Sequence, residues 1–255
     1  MRGALVAVGI VAGCGRLGFD AGSTPDARAV TTYRDAVLDD HPTAYWRLGT
    51  PAPGRDEMGQ FDATFKGTCA AVQGPLNADA DTALHFNGSS CFAVIPSGLE
   101  FPNRAPFTVE AWIRDERVDS YQIYFIKETR MGNGPLDGYA LLINSNGVYL
   151  ERIVNTGGQV TNPTPIAANQ WIHVVGTYDG AVVRLYFDGV QVGPAKTAPD
   201  TMPAVPMESS IGAYPAGNTF LQGDMDELAI YDYALSPQQI VKHHDIGING
   251  PLVAN

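Results

Sequence analysis

The chain has 255 residues, with 16 Lys and Arg against 27 Asp and Glu and a formal net charge of −11. No run of basic residues is present, which argues against a nucleic-acid partner, because nothing would displace counterions from a phosphate backbone. Charged residues make up only 17%, and 28 glycines and 18 prolines suit many short strands joined by turns better than long helices.

The chain opens with "MRGALVAVGIVAGC". Arg2 precedes an apolar run from Ala4 to Ala12, too short as a helix to cross a bilayer at about 1.5 Å per residue. A basic start, a short apolar core and small residues predict a secretory signal over residues 1–13. "VAGC" resembles the bacterial lipobox, which implies that Cys14 is the acylated first residue of an exported chain; the alternative is an ordinary signal peptide with an incidental cysteine. The resemblance implies a membrane contact through the lipid anchor only. It also implies a location at the outer membrane or cell surface of a Gram-negative bacterium, and Gly15 in place of an aspartate favours the outer membrane. Residues 14–30 lack periodicity and hold Gly, Ser, Thr, Pro and Asp, as a flexible tether would. With Cys14 lipidated, Cys69 and Cys91 remain as an even pair, expected to form a disulfide outside the cytoplasm; two buried free thiols are the alternative.

From Thr31 the elements come in quick succession. "TTYRDAVLDD" predicts a short helix before Pro42. "FTVEAWIR" puts Phe107, Val109, Ala111 and Ile113 on one face of a strand, with Glu110 and Trp112 on the other. "YQIYFIK", "GYALLIN" and "WIHVVGTYD" are further strands, rich in β-branched and aromatic residues. "VVRLYFDGVQV" predicts a hairpin at Asp188-Gly189, a dipeptide that tolerates the positive φ angles of a type I′ turn, and Asp179-Gly180 suggests another just before it. "GPAKTAPDTMPAVP" reads as a loop within the domain, and "GDMDELAIYD" as a late strand. In "SPQQIVKHH", Ser236 as N-cap, Pro237 and Gln239 make a capping-box start for a second helix. About a dozen strands without long helices predict an all-β fold, a two-sheet antiparallel sandwich of jelly-roll type spanning residues 31–250 as one domain.

Several stretches together resemble the laminin-G-like, concanavalin A-like jelly-roll domain of bacterial exported proteins. They are "AVLDDHPTAYWRLG", "ALHFNGSSCFAVI", "FTVEAWIR", "NQWIHVVGTYDGAVVRLYFDGVQV" and "FLQGDMDELAIYDYALSPQQI", in that order. The resemblance implies a non-enzymatic module for binding or adhesion, with a carbohydrate or a protein as ligand. A structural envelope domain with no small-molecule site and a carbohydrate-active hydrolase are the alternatives. It also implies one structural calcium ion, whose ligands would fall on Asp56 in "RDEMGQFD", Asn87 in "HFNGSS" and Asp226. The chain has "DEMG" where the family often has Asp-Ser-Gly, which puts Asp56 in question.

The acids of "GDMDELAIYD" are the candidate chemistry. Strict strand alternation separates Asp226 from Glu227, so the two would not face one substrate. The Glu-x-Asp-x-x-Glu pattern of jelly-roll glycosidases fails too, because its last position falls on Ala229. Asp226 is then either a calcium ligand or an acceptor of hydrogen bonds, and Glu227 a buried group partnered by His173 or Arg114. His173 reads as a core-edge histidine. The adjacent His243 and His244 lack the i, i+4 spacing of a helical metal pair. Tyr214, Phe220 and Tyr139 are the aromatics considered for stacking on sugars.

Overall fold

The computed structural model describes residues 30–129 and 135–253. The predicted signal, Cys14 and nearly all of the predicted tether lie outside the described residues. Among the described residues no helix is long and apolar enough to cross a membrane.

The described residues open with β1 (Val30–Thr31), α1 (Tyr33–Asp39), β2 (Ala44–Trp46), β3 (Thr64–Lys66), β4 (Ala70–Gln73), β5 (Thr82–Asn87) and β6 (Phe92–Ile95). The long strands follow: β7 (Phe107–Asp115), β8 (Gln122–Glu128), β9 (Gly138–Asn144), β10 (Gly147–Val154) and β11 (Gly157–Val160). Then come β12 (Ile172–Tyr178), β13 (Val182–Phe187), β14 (Val190–Thr197), β15 (Ser209–Ile211) and β16 (Gln222–Tyr231). The last elements are α2 (Pro237–Asn249) and β17 (Leu252–Val253). One seven-stranded sheet has the order β11-β10-β9-β8-β15-β6-β3. An eight-stranded sheet has the order β14-β13-β12-β7-β16-β5-β4, with β2 also on β16. All pairings are antiparallel, as the sandwich reading expected.

The core lies between the sheets. Phe107, Val109, Ala111 and Ile113 of β7 face it, while Trp112 packs in a separate cluster on the outer side. That is the split the alternation predicts. β8 departs from it, because a register shift between Ile123 and Phe125 turns both Tyr124 and Phe125 inward. Ile123 and Ile126 then face out. The predicted hairpin joins β13 to β14, with Asp188 at φ 48° and Gly189 at φ 80°. The Cys69–Cys91 disulfide is formed, with Cα atoms 5.2 Å apart. It lies beside β4 of one sheet and β6 of the other, so it ties the two layers together.

Both predicted helices form, each with a complete capping box: Thr32 with Asp35 on α1, and Ser236 with Gln239 on α2. They lie across the outer face of the eight-stranded sheet. Tyr33, Ala36 and Val37 of α1 and Ile240 and Ile246 of α2 bury against Trp112, Val175 and Tyr231.

Candidate functional site

The two outer faces of the sandwich differ in what covers them. Under the helices, the fully buried carboxylate of Glu110 collects donors from four side chains. His173 Nε2 lies at 2.7 Å, His243 Nδ1 at 2.9 Å, the Tyr231 hydroxyl at 2.8 Å and the Tyr33 hydroxyl at 3.3 Å. The other ring nitrogen of His243 reaches Asp40 Oδ2 at 3.0 Å. An imidazole with a carboxylate at each nitrogen is held as the imidazolium. Burial works against that charge, but the charge of Glu110 and the bonds to Asp40 and Glu110 outweigh it, raising His243 to about 10. Burial likewise works against the Glu110 anion, and His243 and His173 hold it well below the usual carboxylate range. Burial keeps His173 low, and so neutral. With no exposure at Glu110, His173 or His243, this network fastens the helices to the sheet and offers no surface to a substrate.

The acids of β16 form a second cluster, at the rim. Alternation fails there: β16 carries a register shift between Asp226 and Ala229, and Glu227 has φ 54°. Met225 and Leu228 both point into the core, and the intervening pair is left on the outer side. Asp226 stands opposite outward-facing Trp112, and Glu227 accepts a bond from the Tyr45 hydroxyl in the outer cluster. The bulge thus brings together two acids that the alternation argument kept apart. Glu227 is buried as expected, but its partners are Tyr45 and Arg47, not His173 or Arg114. Arg47 Nε and Nη2 reach Glu227 Oε1 at 3.0 and 2.8 Å. Arg114 instead bonds Asp224 at 2.6 Å. Burial, with Glu227, Asp81 and Asp79 near, pushes the Asp226 carboxyl well above the ordinary range, so it keeps its proton; burial also raises Glu227, to about 7, against the charge and hydrogen bonds of Arg47.

The three residues implied for calcium are not brought together. Asp56 Oδ1 accepts the backbone N–H groups of Tyr45 and Met58, and Oδ2 those of Gln60 and Phe61, which uses all four of its acceptor positions. Asn87 Oδ1 caps the following turn through the N–H groups of Ser89, Ser90 and Cys91. Asn87 stands opposite Gln222, four residues along β16 from Asp226, a separation of about 13 Å at strand rise. Among the described residues no three His, Cys, Asp or Glu side chains converge on one metal position. Asp56, Asn87 and Asp226 therefore do not fit a single calcium ion, whose oxygens must lie within about 2.6 Å of it.

The outer face of the seven-stranded sheet is built differently. Ile123, Ile126, Ala140, Leu142 and Tyr149 form an apolar floor on which Tyr214 packs. The hydroxyls of Tyr121 and Tyr214 lie 3.1 Å apart, and Tyr121 is 37% exposed. Across β3, β6, β15 and β8 runs a cleft made of two adjoining cavities. One, of about 510 Å³, is lined by Ser97, Glu128 and Met207, and the other, of about 370 Å³, by Thr64, Lys66 and Val94. Pro96, Glu208 and Pro215 line both. The buried Lys127 ammonium donates to the Met207 carbonyl, fixing the loop that forms one wall. Next to the cleft, Phe92 and Phe220 meet edge to face with centroids 5.8 Å apart. Of the aromatics considered from sequence, Tyr214 and Phe220 belong to this face, whereas Tyr139 is in the core. Tyr121 opens the predicted strand "YQIYFIK" but is not singled out there, and Glu208 follows the Pro-rich loop, where no periodicity marks it.

Residues 87–241 match the sequence model of a family described as the concanavalin A-like lectin/glucanases superfamily. Similar solved structures share the fold at low identity. Domain 4 of AbnA, a GH43 extracellular arabinanase from Geobacillus stearothermophilus, was solved in complex with arabinotriose. It superposes with a TM-score of 0.64 at 21% identity, over 80% of this chain and 98% of that one. The binding domain of botulinum neurotoxin serotype G gives 0.63 at 11% identity, over 80% of this chain and 51% of that one. The binding domain of botulinum neurotoxin DC, solved in complex with rat synaptotagmin II, gives 0.62 at 14% identity over 82% and 52%. The chain thus spans about half the length of each toxin domain. A comparison with curated proteins gives no match.

Proposed function

We propose that this chain, which belongs to the concanavalin A-like lectin/glucanases superfamily, is a non-enzymatic extracytoplasmic binding module that takes carbohydrate in the cleft of its seven-stranded sheet. The observation that carries this reading is a cleft with polar walls on the outer face of that sheet, which also carries the Tyr121–Tyr214 pair. Neutral sugars present hydroxyls to polar side chains and C–H faces to aromatic rings. Glu128, Glu208 and Lys66 supply the first kind of partner, and Tyr121, with its ring partly in solvent, the second. The resemblance to a domain solved with arabinotriose supports the ligand class, and the lipobox-like "VAGC" supports an anchored, exported setting.

Isothermal titration of the full chain against a panel of neutral oligosaccharides, arabino-oligosaccharides included, tests this reading. Binding is expected to weaken about ten-fold in Tyr121→Ala, the loss of one ring contact worth about 1.4 kcal/mol, and to fall in Glu208→Ala. No binding to any glycan would leave the protein-ligand or envelope-interaction reading, which the toxin domain solved with synaptotagmin illustrates. Glu128 and Glu208 line one cavity, the arrangement a hydrolase would need. The same mixtures are therefore assayed for released reducing ends. Release that is lost in Glu208→Gln would make the chain an enzyme.

A further inference from the structure

A third cavity, of about 530 Å³, opens at the rim of the sandwich, apart from the cleft. Its walls come from α1, from the turn after β2 and from the loop before β5. They present three guanidinium groups, of Arg34, Arg47 and Arg55, and three carboxylates, of Glu57, Asp79 and Asp81. The hydrogen bonding is uneven. Arg34 gives Nε and Nη2 to Glu57 Oε2 at 2.8 and 2.5 Å. Arg47 gives Nε and Nη2 to Glu227, and Nη2 also to Asp79 at 2.8 Å. Among the described residues neither Nη1 has a hydrogen bond, so each guanidinium keeps an unused edge. Arg55 touches Glu57 only at 3.8 Å, and its side chain is 68% exposed. A guanidinium carries five N–H donors in a planar fork that matches a carboxylate.

We propose that this rim pocket is a second ligand site, separate from the cleft, and that it takes a carboxylate carried on a polyhydroxylated ring, as in a uronic acid. The arginine edges bind the carboxylate. The three wall carboxylates are acceptors only, so they favour a ligand that brings hydroxyl donors and oppose a bare anion such as phosphate. Pro51, Ala52 and Ala80 are the apolar part of the wall, and the three arginines, absent from the lining of the cleft, separate this chemistry from that of the cleft.

The test is isothermal titration of the full chain with glucuronate, galacturonate, the neutral parent sugars and inorganic phosphate. Both uronates are expected to bind, more weakly as salt rises. Arg55→Ala and Arg34→Ala are each expected to weaken them about ten-fold, whereas Tyr121→Ala leaves them unchanged. Arg55→Ala is expected to melt like the parent, because its side chain stands mostly in solvent. Binding of neutral oligosaccharide in the cleft is expected to survive both arginine variants, so failure of one site is distinguishable from failure of the other. Absence of uronate binding at tens of millimolar, phosphate binding as tight as uronate, or uronate binding indifferent to both arginine variants would each overturn the proposal.

Discussion

The outer faces of the two sheets solve opposite problems. On the eight-stranded sheet two helices lie flat, and Glu110, His243, Asp40 and two tyrosines close a network in which Glu110 and His243 have no exposure. On the seven-stranded sheet an apolar floor carries tyrosines and borders a cleft lined with Glu128, Glu208 and Lys66. In the first, polar groups turn inward and pair around Glu110. In the second, they line a cavity where an outside partner can meet them. Buried charges are tolerated only when fully paired, so the covered face is where a single deletion should cost most. The cleft face should lose binding before it loses stability.

Glu110→Ala is the largest expected effect. It leaves the His243 imidazolium buried opposite Asp40 alone, and removes the acceptor of both tyrosine hydroxyls. A loss of about 3–5 kcal/mol is expected in denaturant unfolding. A variant within 1 kcal/mol of the parent would show that the helices are held by apolar packing alone. Tyr121→Ala, by contrast, is expected to leave unfolding nearly unchanged while it weakens sugar binding. Equal stability losses on the two faces would erase the distinction between them.

A pH profile sharpens the same contrast. His243 is raised from 6.5 to about 10, so the stability it contributes is fully present below about 6.5 and is lost as pH rises through about 10. Glu110 is lowered from 4.5, so its contribution is present above that value and is lost as pH falls through the folded-state value. Asp115 is raised to about 7 chiefly by burial, so its cost to stability builds as pH rises from its ordinary 3.8 to about 7 and stays in full above that. The difference between parent and His243→Gln isolates the imidazolium. The parent's advantage, on the order of a few kcal/mol, is expected to shrink steadily from pH 6.5 to 10. An advantage that is constant across this range would remove the ion-pair account.

Much of this division is legible in the sequence, and the reason is periodicity. The alternation of "FTVEAWIR" places Glu110 and Trp112 on the outer side, and the capping residues fix where α1 and α2 start. What periodicity cannot carry is partnership over long separations. Glu110 meets His243 across 133 residues and Tyr231 across 121, and no local pattern joins them. Bulges are the other blind spot. One extra residue at Glu227 reverses the phase of β16, so Asp226 and Glu227 end on the same side although simple alternation divides them. The cleft was hidden for a third reason, since its walls at Ser97, Met207 and Pro215 come from connecting segments whose path depends on the sheets they join.

Calcium is the smallest expected effect, and it follows from how the rim acids are balanced. Asp79, Asp81 and Glu227 share the Arg47 guanidinium at 2.8, 3.2 and 2.8 Å. Asp226 keeps its proton in that company. Asp56 spends both oxygens on backbone N–H groups. A divalent cation would have to displace either a proton or a guanidinium to gain carboxylate ligands here. Saturating calcium is therefore expected to leave the melting temperature where chelator leaves it. A rise of several degrees, abolished by Asp226→Asn but retained in Asn87→Ala, would instead place an ion on Asp226 and show that the metal outcompetes Arg47 for this cluster. The outer face of the eight-stranded sheet would then be fastened twice, by an imidazolium under the helices and by a metal at its rim.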